Sequence, residues 1–389
     1  MHATSMSSGT SDPAQRTGQA VPHPVSLRLG GRPLPAVGTA RVYVCGITPY
    51  DVTHLGHAAT FVWADVLASV LESTGVDALV CRNITDVDDV LTTAARERGR
   101  YYDEFALTQE ATFESSMRAL RVATPAAQPR ARHHVEAVQQ LAQGLLDLGA
   151  AYERDGTVWF RGADVPEMAG VPRERALALA AAYGDEPDDP AKDDPFDVAV
   201  WRPSSAEHPA WPSPWGWGRP GWHAECAAMA IAVHGASVDV LVGGDDLVFP
   251  HHAYQGAMVG AVTGVSPFSR ATLHVGEVRL DGDKMAKSTG NLVLVDDVLT
   301  SCQPAALRTL LVDRPHDEPW SYDPADITLA EGRLERLYAA AGRSGASAAA
   351  VGAVVARLRD GLDVRGALDV AEDEGGEAAR RVVTLLRLG

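Results

Sequence analysis

Two short motifs in the sequence carry residue types that suit phosphate chemistry. His54 and His57 flank a glycine in the segment THLGH, where imidazoles can donate hydrogen bonds to phosphate oxygens and the glycine lets the backbone approach closely. Lys284 and Lys287 lie in the segment KMAKS, where flexible ammonium groups can follow a migrating phosphate charge. Taken alone, each motif is more typical of an exposed turn, or for the histidines half of a metal site. The two motifs together are more specific than either one.

A second set of residues has the chemistry of metal ligands. Cys45 follows a predicted strand, Cys226 lies in GWHAEC and His251 in FPHH. The gaps between them are far too long for a compact zinc-finger spacing, so spacing alone favours buried structural cysteines. Cys81 and Cys302 are predicted to be core residues.

The elements that must position these residues form a βαβ unit. Residues 41–45 predict a buried strand, an apolar stripe over 63–71 predicts a helix that ends by Gly75, and 78–81 predict a second strand. Such a unit implies a parallel sheet. The THLGH segment lies between the first strand and the helix, which is where ligands bind in α/β proteins.

The remaining elements are less regular. Residues 185–197 carry seven acidic residues and one lysine, which predicts a solvated loop. Residues 201–222 contain five tryptophans among prolines and glycines, which predicts an aromatic-lined loop insert. Residues 103–150 predict helices that are broken near Pro125 and Pro129, and residues 152–160 predict a strand or hairpin. Strands are predicted over 238–242 and 272–278, with a helix from about residue 251 between them. Residues 304–389 predict a helical domain.

Length and composition limit the function classes. The chain has 389 residues, a net charge of −17 and 46% hydrophobic residues, which excludes wholesale disorder. We expect a flexible segment over residues 1–38, no signal peptide, no membrane span and a cytoplasmic location. The acidic balance weakly disfavours a nucleic-acid partner, although a local basic patch can exist within an acidic chain.

The pairing of HLGH with KMAKS resembles the paired signatures of class I aminoacyl-tRNA synthetases, usually HIGH and KMSKS. In this chain Leu55 replaces the isoleucine of HIGH, and Ala286 replaces the first serine of KMSKS. The resemblance implies an α/β fold with a Rossmann-type nucleotide-binding parallel sheet, a helical and Trp-rich insert and a C-terminal helical domain. It also implies that Mg²⁺·ATP activates an amino acid as its adenylate, with His54, His57, Lys284 and Lys287 as catalytic residues.

Further blocks are similar to cysteinyl-tRNA synthetases, namely CGITPYD, NITDVDD, GWHAEC and FPHH. In that family the matching positions, Cys45, Cys226 and His251, hold one Zn²⁺ that binds the substrate thiolate. A zinc site with an open position favours a thiolate over a hydroxyl, so L-cysteine is the expected substrate. The family has a glutamate where this chain has Gln255, which favours a three-ligand zinc whose fourth position belongs to the substrate.

The resemblance is closer still to the mycothiol-pathway ligases that join cysteine to glucosaminyl-inositol, a shortened relative of the synthetases. It covers residues 41–370, including WPSPWGWGRPGWHAEC, DLVFPHH and DGDKMAKSTGNLVLV. Only about 100 residues follow KMAKS, which leaves little room for an anticodon-binding domain. The family's cysteinyl-adenylate and ATP site maps onto Cys45, Gly46, Ile47, Thr48, Thr60, Asn83, Ile84, Thr85, Trp222, Gly244, Asp245, Asp246 and Val278.

The sequence thus predicts a flexible segment 1–38, a catalytic domain 39–303 with an insert over about 103–220, and a helical domain 304–389. We expect a monomer that uses ATP, L-cysteine and glucosaminyl-inositol, without tRNA. Three alternatives remain open at this point. They are a short cysteinyl-tRNA synthetase, a paralog that transfers cysteine to another amine, and a non-catalytic cysteine- or nucleotide-binding regulator. The regulator predicts loss of the motif histidines or lysines, which are all present.

Overall fold

The computed structural model describes residues 26–50, 53–285 and 290–389. The strands are β1 (Leu27–Leu29), β2 (Arg32–Leu34), β3 (Thr39–Ile47), β4 (Asp77–Ile84), β5 (Ala151–Arg154), β6 (Thr157–Phe160), β7 (Val198–Pro203), β8 (Gly218–Pro220), β9 (Val238–Gly244), β10 (Ser269–Val275), β11 (Val278–Leu280), β12 (Asp283–Lys284) and β13 (Trp320–Tyr322). The helices are α1 (Leu55–Glu72), α2 (Asp89–Glu97), α3 (Tyr102–Ala119), α4 (Val135–Asp147), α5 (Val165–Met168), α6 (Arg173–Ala182), α7 (Trp222–His234), α8 (Ala253–Thr263), α9 (Val295–Val298), α10 (Pro304–Val312), α11 (Ala325–Ala341), α12 (Ala348–Arg359), α13 (Val364–Glu374) and α14 (Gly376–Leu385).

A parallel sheet with strand order β10-β9-β3-β4 positions the site. Its central strand β3 contributes Val42, Tyr43 and Val44, which are at most 1% exposed, as expected for a parallel strand covered on both faces. The connection from β3 through α1 to β4 is the predicted βαβ unit. Strand β4 is longer at both ends than the predicted second strand. Asn83 and Ile84 therefore lie at its carboxyl end, on the edge of the sheet.

Helix α1 begins earlier than its apolar stripe predicted. It starts at Leu55, so the two motif histidines belong to the helix N-cap and first turn rather than to a separate loop. The apolar pattern does continue back through Ala58, Ala59 and Phe61, which are buried. The histidines are therefore fixed to the end of an 18-residue helix packed on the sheet.

The insert forms an antiparallel sheet with strand order β5-β6-β7-β8. The predicted hairpin over 152–160 is present as β5 and β6. The prediction that the Trp-rich segment is wholly loop is wrong at both of its ends, because residues 201–203 belong to β7 and residues 218–220 to β8. Trp201 is fully buried, and this burial offsets the poor strand propensity of the flanking prolines and glycines.

Residues 27–34 depart from the expectation of a flexible amino-terminal segment. They form the β1–β2 hairpin, whose two-residue loop Gly30-Gly31 has positive φ at both positions, as a type I′ turn requires. Leu27, Leu29 and Leu34 are at most 4% exposed and belong to the main hydrophobic core. The burial of these three side chains stabilises the hairpin.

The carboxyl-terminal helices α10 to α14 follow the predicted helical pattern, and their buried residues share one apolar core with α1. A buried ion pair joins the two regions, since Arg308 of α10 contacts Asp65 of α1. The Arg308 guanidinium also donates to the carbonyls of Leu120, at 2.8 Å, and Leu386, at 2.6 Å. Within the described ranges, no helix is both long enough and apolar enough to cross a membrane.

Candidate adenylate and metal site

A pocket of about 950 Å³ lies at the carboxyl ends of β3, β4 and β9. This is the position where the topology of an open parallel sheet predicts a ligand. Its wall is built from the ends of these strands, the amino end of α1, one face of α2, and residues of α7, β11 and β12.

Three buried metal-ligand residues meet at one end of the pocket. The Sγ atoms of Cys45 and Cys226 and a ring nitrogen of His251 all lie within 4.8 Å of one another. His251 Nε2 is 3.1 Å from Cys226 Sγ, and the three residues are at most 4% exposed. The fold thus brings together residues that are 181 and 25 positions apart in sequence.

Neighbouring polar groups fix the orientation of these ligands. Asn83 Nδ2 donates to Cys226 Sγ over 3.2 Å, while its Oδ1 accepts from the Gly46 amide over 2.8 Å. A Cβ on Gly46 would lie 1.7 Å from the Asn83 carbonyl oxygen, so only glycine allows this approach of β3 to β4. His223 Nδ1 lies 2.9 Å from His251 Nδ1, which leaves the opposite ring nitrogen of His251 for the cysteines.

Gln255 occupies the position at which the sequence departs from the synthetase pattern. Its Oε1 accepts from Cys45 Sγ over 3.7 Å, and its Nε2 donates to the Cys226 carbonyl over 3.3 Å. The side chain is fully buried, and its two ends contact both cysteine residues. The neutral amide of Gln255 therefore bridges Cys45 and Cys226 without adding charge to the cluster.

The donor set and the electrostatics fit a zinc ion. Tetrahedral zinc with bonds of about 2.3 Å to sulfur places two thiolates about 3.8 Å apart, within the spread of these atoms. Burial, with the neighbouring Cys226, raises the pKa of the Cys45 thiol, so the thiolate needs a compensating cation. Burial, followed by His223 and His252, lowers the pKa of His251 well below its usual value and keeps the imidazole neutral for ligation.

The motif histidines lie at the amino end of α1. His54 is the N-cap residue, and its Nδ1 accepts from the Gly56 amide over 3.1 Å. A neutral His54 with an accepting Nδ1 carries its proton on Nε2 and can donate there. Burial lowers the pKa of His57 to about 4, so this ring is neutral at physiological pH, and its centroid is 3.9 Å from that of His54. Two imidazole rings at a helix amino end suit an anionic phosphate.

Lys284 and two carboxylates lie on the β9–β11 side of the pocket. Lys284 Nζ is 3.1 Å from Asp246 Oδ2 and 3.3 Å from Glu277 Oε1. Burial opposes the lysine charge, but Asp246, Tyr183 and Glu277 outweigh that effect and raise the Lys284 pKa above its usual value. The ammonium is therefore charged throughout the physiological range, in a position from which it can move to a phosphate.

The pocket wall gathers most of the predicted site residues. They are Cys45, Gly46, Ile47, Thr48, His54, His57, Thr60, Asn83, Thr85, Trp222, Cys226, Gly244, Asp245, Asp246, His251, Val278 and Lys284. Ile84 is not among the wall residues and is 2% exposed. Lys287, with Ala286 and Ser288, lies outside the described residues.

Some site residues had no role in the sequence interpretation. Tyr183 is stacked on Trp222 at a centroid distance of 6.4 Å and donates to the Asp246 carbonyl over 2.9 Å. Trp222 in turn is stacked on His251 at 4.0 Å. His223 and Glu277 also contact predicted site residues. For His223 and Glu277, the available signal was their position within GWHAEC or shortly before KMAKS, whereas Tyr183 is distant from both motifs in sequence.

Comparisons with known proteins identify the class of catalytic domain. The family described as tRNA synthetases class I (C) catalytic domain matches residues 35–332. A solved structure of Mycobacterium tuberculosis methionyl-tRNA synthetase with methionyl-adenylate has a TM-score of 0.60 at 18% identity and covers 90% of this chain and 82% of that chain. A ternary complex of Agrobacterium radiobacter LeuRS with tRNA and LeuAMS has a TM-score of 0.62 at 11% identity, covering 94% and 85%. The fold and the site therefore define a catalytic domain of the class I synthetase type, which confirms the predicted fold class.

More similar relatives narrow the family. Streptosporangium roseum L-cysteine:1D-myo-inositol 2-amino-2-deoxy-alpha-D-glucopyranoside ligase is 41% identical over 340 residues, covering 86% of this chain and 83% of the relative. The Acidothermus cellulolyticus protein of the same name is 40% identical over 365 residues, covering 90% and 89%. The chain belongs to this family of ligases, as the sequence motifs predicted.

Proposed function

We propose that the chain activates L-cysteine with ATP and transfers the cysteinyl group to the amine of glucosaminyl-inositol. The observation that carries the proposal is that the Cys45–Cys226–His251 cluster and the histidine end of α1 face one pocket. A thiol-selecting site and a phosphate-binding site then lie within reach of one small adenylate. The names of the family members support the same two substrates.

In the first step, the cysteine carboxylate attacks the α-phosphorus of ATP and pyrophosphate leaves. We assign the N-terminal end of α1, with His54 and His57, to donating hydrogen bonds to the phosphates. Lys284 then exchanges its contacts with Asp246 and Glu277 for the negative charge that develops on the α-phosphate and the leaving pyrophosphate. We assign the same role to Lys287.

Zinc, when bound by Cys45, Cys226 and His251, supplies a fourth position that prefers a thiolate to the hydroxyl of serine. Asn83 and Gln255 form hydrogen bonds with Cys226 and Cys45 and so keep the ligand side chains in position. Trp222 covers the cluster beside His251 and limits water access to the substrate thiol.

The charge of the pocket favours ATP as its magnesium complex. Three acidic residues on the β9–β11 side of the described wall, Asp245, Asp246 and Glu277, face one lysine, Lys284. A bare triphosphate would be repelled by this excess of carboxylates, and bound Mg²⁺ reduces that repulsion. Every residue named here comes from a single chain, so the proposal requires no second copy.

In the second step, the amine nitrogen attacks the carbonyl carbon of cysteinyl-adenylate. The C–N bond forms, the bond from carbon to the phosphate oxygen breaks, and AMP leaves with that electron pair while the amine loses a proton. We assign the Thr48 and Thr85 hydroxyls, which lie 2.7 Å apart in the pocket wall, to contacts with the adenylate.

The proposal is tested by two assays on the purified chain. Cysteine-dependent ATP–pyrophosphate exchange should occur, and serine should support far less exchange. Added glucosaminyl-inositol should then release AMP and form the amide, whereas tRNA should not. Absence of cysteine-dependent exchange would overturn the activation step, and AMP release with tRNA alone would identify a tRNA-charging enzyme instead.

The Lys284→Ala substitution is expected to slow pyrophosphate exchange about 100-fold, because removing one donor to a developing phosphate charge typically costs this much. Its effect should fall on kcat, and cysteine binding should change little because the zinc cluster does not contact Lys284. Arg279→Ala, on the adjacent strand β11 but outside the pocket wall, is the matched control and should retain near-normal exchange. Equal rates for the Lys284 variant and the wild type would remove this residue from the mechanism.

A further inference from the structure

One face of α2 lines the pocket without a part in cysteine activation. Asp89, Val90, Thr93, Ala94 and Glu97 belong to the wall, and their spacing of one, four, five and eight residues places them on one side of the helix. Nothing in the adenylate step uses them. The pocket is therefore larger on this side than activation of cysteine requires.

The amino end of α2 is held in place by the Trp-rich segment. Asp89 accepts from Arg202 at 2.6 Å and from Arg219 at 2.9 and 3.1 Å, and His208 Nε2 lies 3.5 Å away. These contacts satisfy the Asp89 carboxylate and lower its pKa despite partial burial. Asp89 is thus a positioning residue, and it gives the Trp-rich segment a role in fixing the pocket-facing side of α2.

The other end of this face is available to a ligand. In the part of the chain that the structure describes, no other side chain forms a hydrogen bond with the Thr93 hydroxyl or with the Glu97 carboxylate. Glu97 is exposed, and Val90, 51% exposed, presents an apolar surface beside them. A carboxylate, a hydroxyl and an apolar patch on one wall are the groups that bind a polyhydroxylated ring.

The direction of α2 orders the subsite. Asn83, at the end of β4, contacts the metal-ligand Cys226, and α2 begins six residues later. A helical rise of 1.5 Å per residue places Glu97 about 12 Å beyond Asp89 along the axis. The start of α2 is therefore tied by a short connection to the strand that contacts the cluster, and Glu97 lies at the opposite end of the helix.

We propose that Thr93 and Glu97 form the binding subsite for the inositol ring of the acceptor, with Glu97 accepting hydrogen bonds from ring hydroxyls. This inference rests on the proposed function, because it presupposes that the acceptor enters the same pocket. The reacting amine must be neutral to attack the carbonyl, so it is not the group that Glu97 holds. The carboxylate instead contacts the uncharged distal ring of the acceptor.

The test compares the two half-reactions in Glu97→Gln and Thr93→Val. Both variants should retain cysteine-dependent pyrophosphate exchange with wild-type KM values for ATP and cysteine. In amide formation, the KM for glucosaminyl-inositol should rise about 10- to 100-fold in Glu97→Gln, as expected for loss of charge-assisted hydrogen bonds. With free glucosamine, which lacks the inositol ring, variant and wild type should have similar kcat/KM values.

Glu104→Gln, an exposed glutamate on α3 outside the pocket wall, is the matched control and should behave as the wild type. An unchanged acceptor KM in Glu97→Gln, or an equal loss with glucosamine, would overturn the subsite while leaving the proposed function intact. Failure of the wild-type chain to ligate glucosaminyl-inositol, with exchange intact, would overturn the proposed acceptor and the subsite with it.

Discussion

The Cys226→Ala variant is expected to lose its metal and to lose cysteine activation at the same time. Cys226 lies 3.1 Å from His251 and is one of only three ligand atoms in the cluster, so two protein ligands would remain. A thiolate that is no longer held at a fixed position leaves the carboxylate misplaced at the α-phosphorus, which costs on the order of 100-fold or more. Metal content by elemental analysis and cysteine-dependent pyrophosphate exchange measure the two effects.

Cys302→Ala is the matched control for this experiment. Cys302 is a partly buried free cysteine whose Sγ donates to the Val298 carbonyl, far from the cluster in sequence and outside the pocket wall. It should retain one metal per chain and normal exchange. A metal-free Cys226→Ala protein with full activity would disprove the zinc proposal.

The Arg308→Leu variant is expected to lose about 3–5 kcal/mol of unfolding free energy. The substitution leaves Asp65, which is 5% exposed, with a buried charge and Arg387 as its one remaining cationic partner among the described residues. It also removes the guanidinium donor from the carbonyls of Leu120 and Leu386. Breaking a buried, hydrogen-bonded ion pair typically costs this much, because the carboxylate that remains keeps weaker compensation, here from Arg387 and the Ala123 amide. Urea unfolding followed by circular dichroism measures the change.

Arg96→Ala provides a comparison at an exposed ion pair. Arg96 and Glu207 contact one another with both side chains more than half exposed, so the loss should be at most about 1 kcal/mol. If Arg308→Leu were as mild as Arg96→Ala, the buried pair would not be a significant source of stability.

The sequence predicted the parts of the fold that depend on local pattern. The strand, helix and strand around THLGH follow from apolar runs of the correct period, and these appear as β3, α1 and β4. Elements stabilised by distant contacts were missed. The β1–β2 hairpin becomes ordered because Leu27, Leu29 and Leu34 insert into a core made mostly by later residues, which no local window contains.

The candidate site likewise has residues that sequence motifs predicted and residues whose roles depend on contacts between distant elements. Motif resemblance located Cys45, Cys226 and His251, but sequence spacing argued against a metal site because only the tertiary packing of β3, α7 and the segment before α8 brings them together. The roles of Asn83 and Gln255 as hydrogen-bonding partners of the cysteines depend on distances between separate elements. Beyond Asp89, the last residue of NITDVDD, the pocket-facing side of α2 belongs to none of the quoted motifs, and only the tertiary structure places it on the same wall as the end of β4.

The contacts of Arg308 have a consequence for proteolysis. One guanidinium joins the body of the histidine-bearing helix, through Asp65, to the carbonyl of Leu386 near the carboxyl end. Cleavage that removes the segment containing Leu386 would remove one of the acceptors that hold Arg308 in place. Damage at a site remote from the pocket would then loosen the helix on which the phosphate-binding histidines are mounted.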